Sequence, residues 1–72
     1  MAVEEASNVL AGDWIRIDYG GTEMDCEVSS AKHGPSSVVI GVALADEYRL
    51  LEFLPDDPVM VTRYGEECYG EV

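Results

Sequence analysis

"DWIRIDYGGTEMDCEV", residues 13 to 28, decides the fold. Folding the stretch at Gly20-Gly21 sets Tyr19 against Thr22, Asp18 against Glu23, Ile17 against Met24, Arg16 against Asp25, Ile15 against Cys26 and Trp14 against Glu27. A two-residue glycine turn suits the right-handed twist of paired strands. Because side chains alternate between the faces of a strand, one face carries Ile15, Ile17, Met24, Cys26 and Val28. The other carries Trp14, Arg16, Asp18, Glu23, Asp25 and Glu27. A slip of one residue would turn Met24 and Cys26 to water and bury Asp25, so this register is strongly specified.

Beyond the hairpin, the period of two recurs. "VVIGVALA", 38 to 45, is apolar on both faces and β-branched at its start, which fits a central strand, with Gly41 marking a bend or bulge. "DEYRLLEFL", 46 to 54, contains good helix formers, yet Glu47 would fall inside the apolar arc of any helix drawn through Leu50, Leu51 and Leu54, so a strand is expected. "PDDP", 55 to 58, is a turn by composition, and "VMVTRY", 59 to 64, is a further strand. "SSAKHGPSS", 29 to 37, has the serines and Gly-Pro of a loop. Residues 1 to 12 form a tail or a short helix, with Glu4 and Glu5 at its favourable end and Gly12 as its stop. The closing "RYGEECYGEV" repeats Tyr-Gly-Glu and suits a final edge strand guarded by glutamates. Together these signals predict an all-β fold: a small five-stranded antiparallel curled sheet or barrel occupying 13–72 as a single domain.

In size and strand spacing this arrangement is similar to the Sm-like and Src-homology-type small barrels, and an N-terminal helix would favour the Sm-like version. The likeness implies architecture only. The Asn-containing loop and the Arg-Gly step by which Sm proteins hold RNA are not found in this sequence, so no RNA-binding residues carry over.

Fifteen Asp and Glu stand against four Lys and Arg, a formal net charge of −11, with a pI near 4.1. Acidic chains of low hydrophobicity are disordered, but 47% of these residues are hydrophobic and they fall in patterned runs. The charge is therefore borne by a folded domain. At 72 residues that domain buries only a small core, so self-association or a solvent that strengthens burial is expected. In about 1 M salt the Debye length falls to roughly 3 Å and carboxylates on neighbouring strands cease to repel. The acid excess, with Lys32 as the lone lysine, resembles the proteome of an extreme halophile, in which the acidic face is a device for solubility and holds monovalent cations diffusely.

No candidate constellation adds a reaction. His33 and Cys26 would need to meet within hydrogen-bond reach to form a nucleophilic pair, whereas the register aims Cys26 at the core. Cys26, Cys68 and His33 give fewer than the four ligands a structural zinc needs, and no calcium loop is present, so no metal or cofactor is expected. Nor is a bridge between Cys26 and Cys68 indicated. The N-terminus lacks a basic start and a long apolar run, and no stretch of 18 apolar residues occurs; neither signal peptide nor membrane span is expected, and the cytoplasm is the default. A chain this short also struggles to wall a pocket of about 300 Å³ or more while packing a core, which counts against an enzyme. The leading expectation is a non-enzymatic protein-interaction module that self-associates or binds a protein partner, anchored by Trp14 and Arg16 on the outer face, since Trp and Arg dominate interface hot spots. A regulatory, nucleic-acid-associated small barrel is the alternative. It would require Arg16, Lys32, Arg49 and Arg63 to share one face with exposed aromatics.

Overall fold

Gly20 and Gly21 take φ of +64° and +87°, the positive pair that a tight primed turn demands. In the computed structural model, which describes residues 2–65, they join β2 (Trp14–Tyr19) to β3 (Thr22–His33). The pairing is Ile15 with Cys26 and Ile17 with Met24, as the sequence requires. Asp18 reinforces the turn, its Oδ1 accepting the Gly21 N–H at 3.0 Å. Ile15, Cys26 and Val28 are buried, Ile17 and Met24 half-buried.

β4 (Val38–Ala43), β5 (Tyr48–Phe53) and β6 (Pro58–Arg63) follow. A meander places β3, β4 and β5 side by side, and β6 then returns to the far side of β2, giving the order β1-β6-β2-β3-β4-β5 in one antiparallel sheet. Among the described residues the sheet does not close, and β1 and β5 are its edges. Its inner face gathers one core, built from Ile15, Cys26, Val28, Val38, Ile40, Val42, Val59 and Val61. Leu51 and Phe53 of β5 pack against that core, which curls the edge strand inward.

Three features depart from the sequence reading. Residues 2 to 5 are a strand, β1 (Ala2–Glu5), paired to the start of β6 and followed by a single 3₁₀ turn at Ala6–Asn8. The segment is therefore neither tail nor helix, and the sheet has a sixth strand. The N-terminal segment belongs to the same domain, because Ala6 and Val9 are fully buried in the core. Second, β3 continues through Ser29 to His33, and only the turn from Gly34 to Ser37 interrupts the chain before β4. A bulge at Ser29 lets this polar stretch stay paired: the register shifts between Val28 and Ser30, which adds one unpaired residue and strengthens the bend. Third, Gly41 marks close approach and not a bulge. A Cβ there would meet the Tyr48 hydroxyl at 2.0 Å, because the phenol lies across the glycine to reach Ser30 Oγ at 3.0 Å. The expected final edge strand falls largely outside the described residues.

Among the described residues Asp13 is the one buried charged side chain, 6% exposed. Its Oδ2 accepts the Leu10 N–H at 3.0 Å and its Oδ1 the Gly65 N–H at 2.8 Å. Its own carbonyl accepts the Val28 N–H at 2.8 Å. One carboxylate thus ties the segment entering β2 to the chain leaving β6. His33 adds a second tie, its Nε2 lying 2.8 Å from the Val9 carbonyl.

Candidate interaction surface

Pairing registers define rows of side chains across the outer face. One row runs Arg63, Trp14, Glu27, Ala43, Tyr48 through five successive strands. Trp14 is half-buried, and the Arg63 guanidinium stands over its ring at 6.0 Å from the centroid, within cation–π range. The neighbouring row runs Val3, Met60, Arg16, Asp25. Arg16 Nε bonds Asp25 Oδ1 at 3.1 Å, with both side chains a third or more exposed, so the pair adds little stability in water. The structure therefore brings Trp14 and Arg16 onto one face, each with a charged neighbour across the strand. The core segment at Val9 lies on the opposite side of the sheet, among Ile15 and Val61.

Lys32 also points outward, opposite Val39, but Arg49 does not. It shares the inner parity of Val42 and reaches the hairpin tip, where its guanidinium lies 4.7 Å from the Tyr19 ring centroid. Tyr19 donates to Glu47 Oε2 at 2.6 Å, and Arg49 Nε reaches the same oxygen at 3.2 Å. This exposed cluster joins the β2–β3 turn to the β4–β5 turn. The hydrogen bond from Tyr19 holds the Glu47 carboxyl below its ordinary pKa, while Glu47 raises the Tyr19 phenol, first through that bond and then through its charge.

Between β5 and the β2–β6 pair the open sheet leaves a mainly apolar groove of about 300 Å³, walled by Ile15, Ile17, Leu51, Phe53, Pro58, Val59 and Met60 together with the charged Arg16 and Asp18. That is the low end of ligand-pocket volumes. Cys26 is free and buried, its thiol pKa raised by burial and then by the Asp25 charge, which leaves it a poor nucleophile at neutral pH. It does not meet His33, which is committed to the Val9 carbonyl. Among the described residues no cluster of His, Cys, Asp and Glu has the geometry to hold a metal, and no helix is long and apolar enough to cross a membrane. Cys68 lies outside the described residues.

Sequence reasoning missed two participants. Asp13 was legible as a polar residue after Gly12 at a strand entrance, a position where Asp side chains bond local backbone. Tyr48 carried no signal, because its role depends on Gly41 lying beside it across a strand pair. No family model, curated protein or solved structure matches the chain.

Proposed function

We propose that this protein is a non-enzymatic interaction module that works in concentrated salt, self-associating or binding a protein partner. The observation that supports the reading is the outer row Arg63, Trp14, Glu27, in which a half-exposed indole is flanked by one cation and one anion. Such a side chain offers large apolar area with polar neighbours ready to form a rim, the composition of an interface hot spot. Salt belongs to the proposal because a net charge of −11 opposes every acidic partner and every second copy until it is screened.

Nucleic acid fits the surface less well. Arg16, Arg63 and Lys32 lie on the outer face with Trp14 and Tyr48, but Asp18, Glu23, Asp25, Glu27 and Glu52 share it, and Arg49 lies elsewhere. Phosphate contact needs unopposed cations.

Trp14→Ala tests the role of the indole. In molar KCl its melting temperature should stay near wild type while partner or self-association weakens by tenfold or more, the effect of losing an anchor worth about 2 kcal/mol. A large fall in melting temperature with association unchanged would assign Trp14 to folding and refute the reading.

A further inference from the structure

Among the described residues the sheet has two free edges, and they are built differently. β1 is short and carries Glu4 and Glu5, the charged guard that discourages edge pairing. β5 reads Tyr-Arg-Leu-Leu-Glu-Phe: one cation and one anion, hence no net charge in a chain at −11. It also holds much of the exposed apolar surface, with Leu50 64% and Tyr48 54% exposed and Leu54, just beyond its end, 58%.

The direction of its backbone groups follows from the turn. The Leu44 N–H donates to the Glu47 carbonyl at 2.8 Å, closing a two-residue hairpin, and antiparallel pairs then alternate between bonded and non-bonded. Val42 with Arg49, Ile40 with Leu51 and Val38 with Phe53 are the bonded pairs. Tyr48, Leu50 and Glu52 therefore turn their N–H and C=O groups away from β4, to the open edge. Leu54, next in that series, spends its N–H on Asp57 Oδ2 at 2.8 Å and its carbonyl on the Asp57 N–H at 3.0 Å.

We propose that β5 is an assembly edge, pairing antiparallel with the β5 of a second copy about a two-fold axis at Leu50. This rests on the self-association put forward above and names its surface. A two-fold normal to the sheet keeps inner and outer faces continuous, so partners must share parity. Only the register centred on Leu50 satisfies every outward N–H and C=O of Tyr48, Leu50 and Glu52 on both strands. In that register Leu50 meets its own copy and Tyr48 stands opposite Glu52 of the second copy on the same side of the sheet, its hydroxyl staying turned inward to Ser30, so that an apolar centre is flanked by a tyrosine ring and a carboxylate on each side. Arg49 lies diagonal to its copy, and each guanidinium keeps Glu47 at 3.2 Å. Like charge at the centre is thereby compensated within each chain, and the long-range repulsion between the copies falls with salt.

Sedimentation of the full chain in molar KCl, with amide exchange followed residue by residue, tests the proposal. Wild type should dimerise more tightly as KCl rises, and the Tyr48, Leu50 and Glu52 amides should gain protection on dimerisation while those of β1 do not. Leu50→Lys sets two cations face to face at an exposed position and should weaken dimerisation at least tenfold with little change in melting temperature. Leu50→Pro, which removes an N–H that β4 does not use, should do the same. A monomeric wild type at all salt concentrations overturns the proposal, as does a dimer that survives both substitutions. If Trp14→Ala abolishes self-association while Leu50→Lys leaves it intact, the edge is overturned and the Trp14 module stands. If Leu50→Lys alone abolishes it, the edge is supported whatever Trp14 binds.

Discussion

Replacing Asp13 by Asn changes one oxygen to an NH₂ group and leaves the shape of the side chain intact. In the native fold both carboxylate oxygens are used, accepting N–H groups from Leu10 and Gly65 at 3.0 and 2.8 Å, at a site only 6% exposed. Asn keeps one acceptor and turns a donor against the other N–H. A buried hydrogen bond to a charged group contributes about 1.5–3 kcal/mol, and an orphaned buried donor costs about 1–3 kcal/mol. The expected loss for Asp13→Asn is therefore about 2–4 kcal/mol. Asp13→Ala, which orphans both donors, should lose roughly 3–6 kcal/mol. At about 0.05–0.15 kcal/mol per residue, 72 residues supply roughly 4–11 kcal/mol in total, so either change removes a large share. For a domain of this size each kcal/mol moves the melting temperature by about 4–8 °C, and Asp13→Asn should melt roughly 8–30 °C lower. Both variants also remove one negative charge, which acts in the stabilising direction. Melting in molar KCl screens that term, and Asp56→Asn, at an exposed site, measures what remains of it. A loss under about 1 kcal/mol, or one equal to that of Asp56→Asn, would refute the reasoning.

Wild-type melting temperature should rise steeply from dilute buffer to molar KCl, since screening and strengthened burial act together; a flat response would show that carboxylate repulsion does not limit the fold. Gly41→Ala should destabilise by about 1–3 kcal/mol because its Cβ collides with the Tyr48 ring and the Ser30 hydroxyl, and in a Tyr48→Ala, Ser30→Ala background the same change should be neutral or stabilising, as expected where a glycine only costs chain entropy. Equal costs in both backgrounds would dissociate Gly41 from these neighbours. Glu47, whose folded pKa is depressed, gives stability that is present above its unfolded pKa and lost as pH falls through the folded one. Tyr19, whose folded pKa is raised, gives stability present below its unfolded pKa and lost as pH rises through the folded one. Tyr19→Phe should remove the second dependence and weaken the first, which Arg49 still supports, and should bring the Glu47 carboxyl, followed by NMR titration, back toward its ordinary range; an unmoved Glu47 would sink the assignment.

What could be read from the sequence was what local rules govern. The β2–β3 register follows from two glycines and a period of two, both contained in one short stretch. Residues 46 to 54 were resolved as a strand by the position of Glu47 alone, and β5 lies there. β1 was hidden because four residues carry no usable period and their partner is β6, nearly the whole chain away. The extension of β3 was hidden because its bulge at Ser29 breaks the alternation, so Ala31 and His33 take the inner parity that a straight count denies them. Trp14 and Arg16 were placed on the outer face by register alone. That Arg49 leaves the other cations depended on the curl that brings β5 toward the hairpin tip.

The pairing of β1 with β6 has a consequence for how the molecule opens. The β2–β3, β3–β4 and β4–β5 pairs each close a short turn, whereas Ala2 pairs with Val61 and Asp13 with Gly65, contacts between the two ends of the described chain. Closing a long loop costs entropy before any contact repays it, so the meander can persist as a unit while the ends let go. Native-state hydrogen exchange should accordingly find two tiers: amides of β1 and of the segment through Val9 exchanging through a low-energy sub-global opening, and those of the central pairs exchanging only with global unfolding. Asp13 stands at the boundary between the tiers. Its substitution should lower the first opening energy more than the second, giving a protein that keeps its central hairpins while its terminal strand comes and goes.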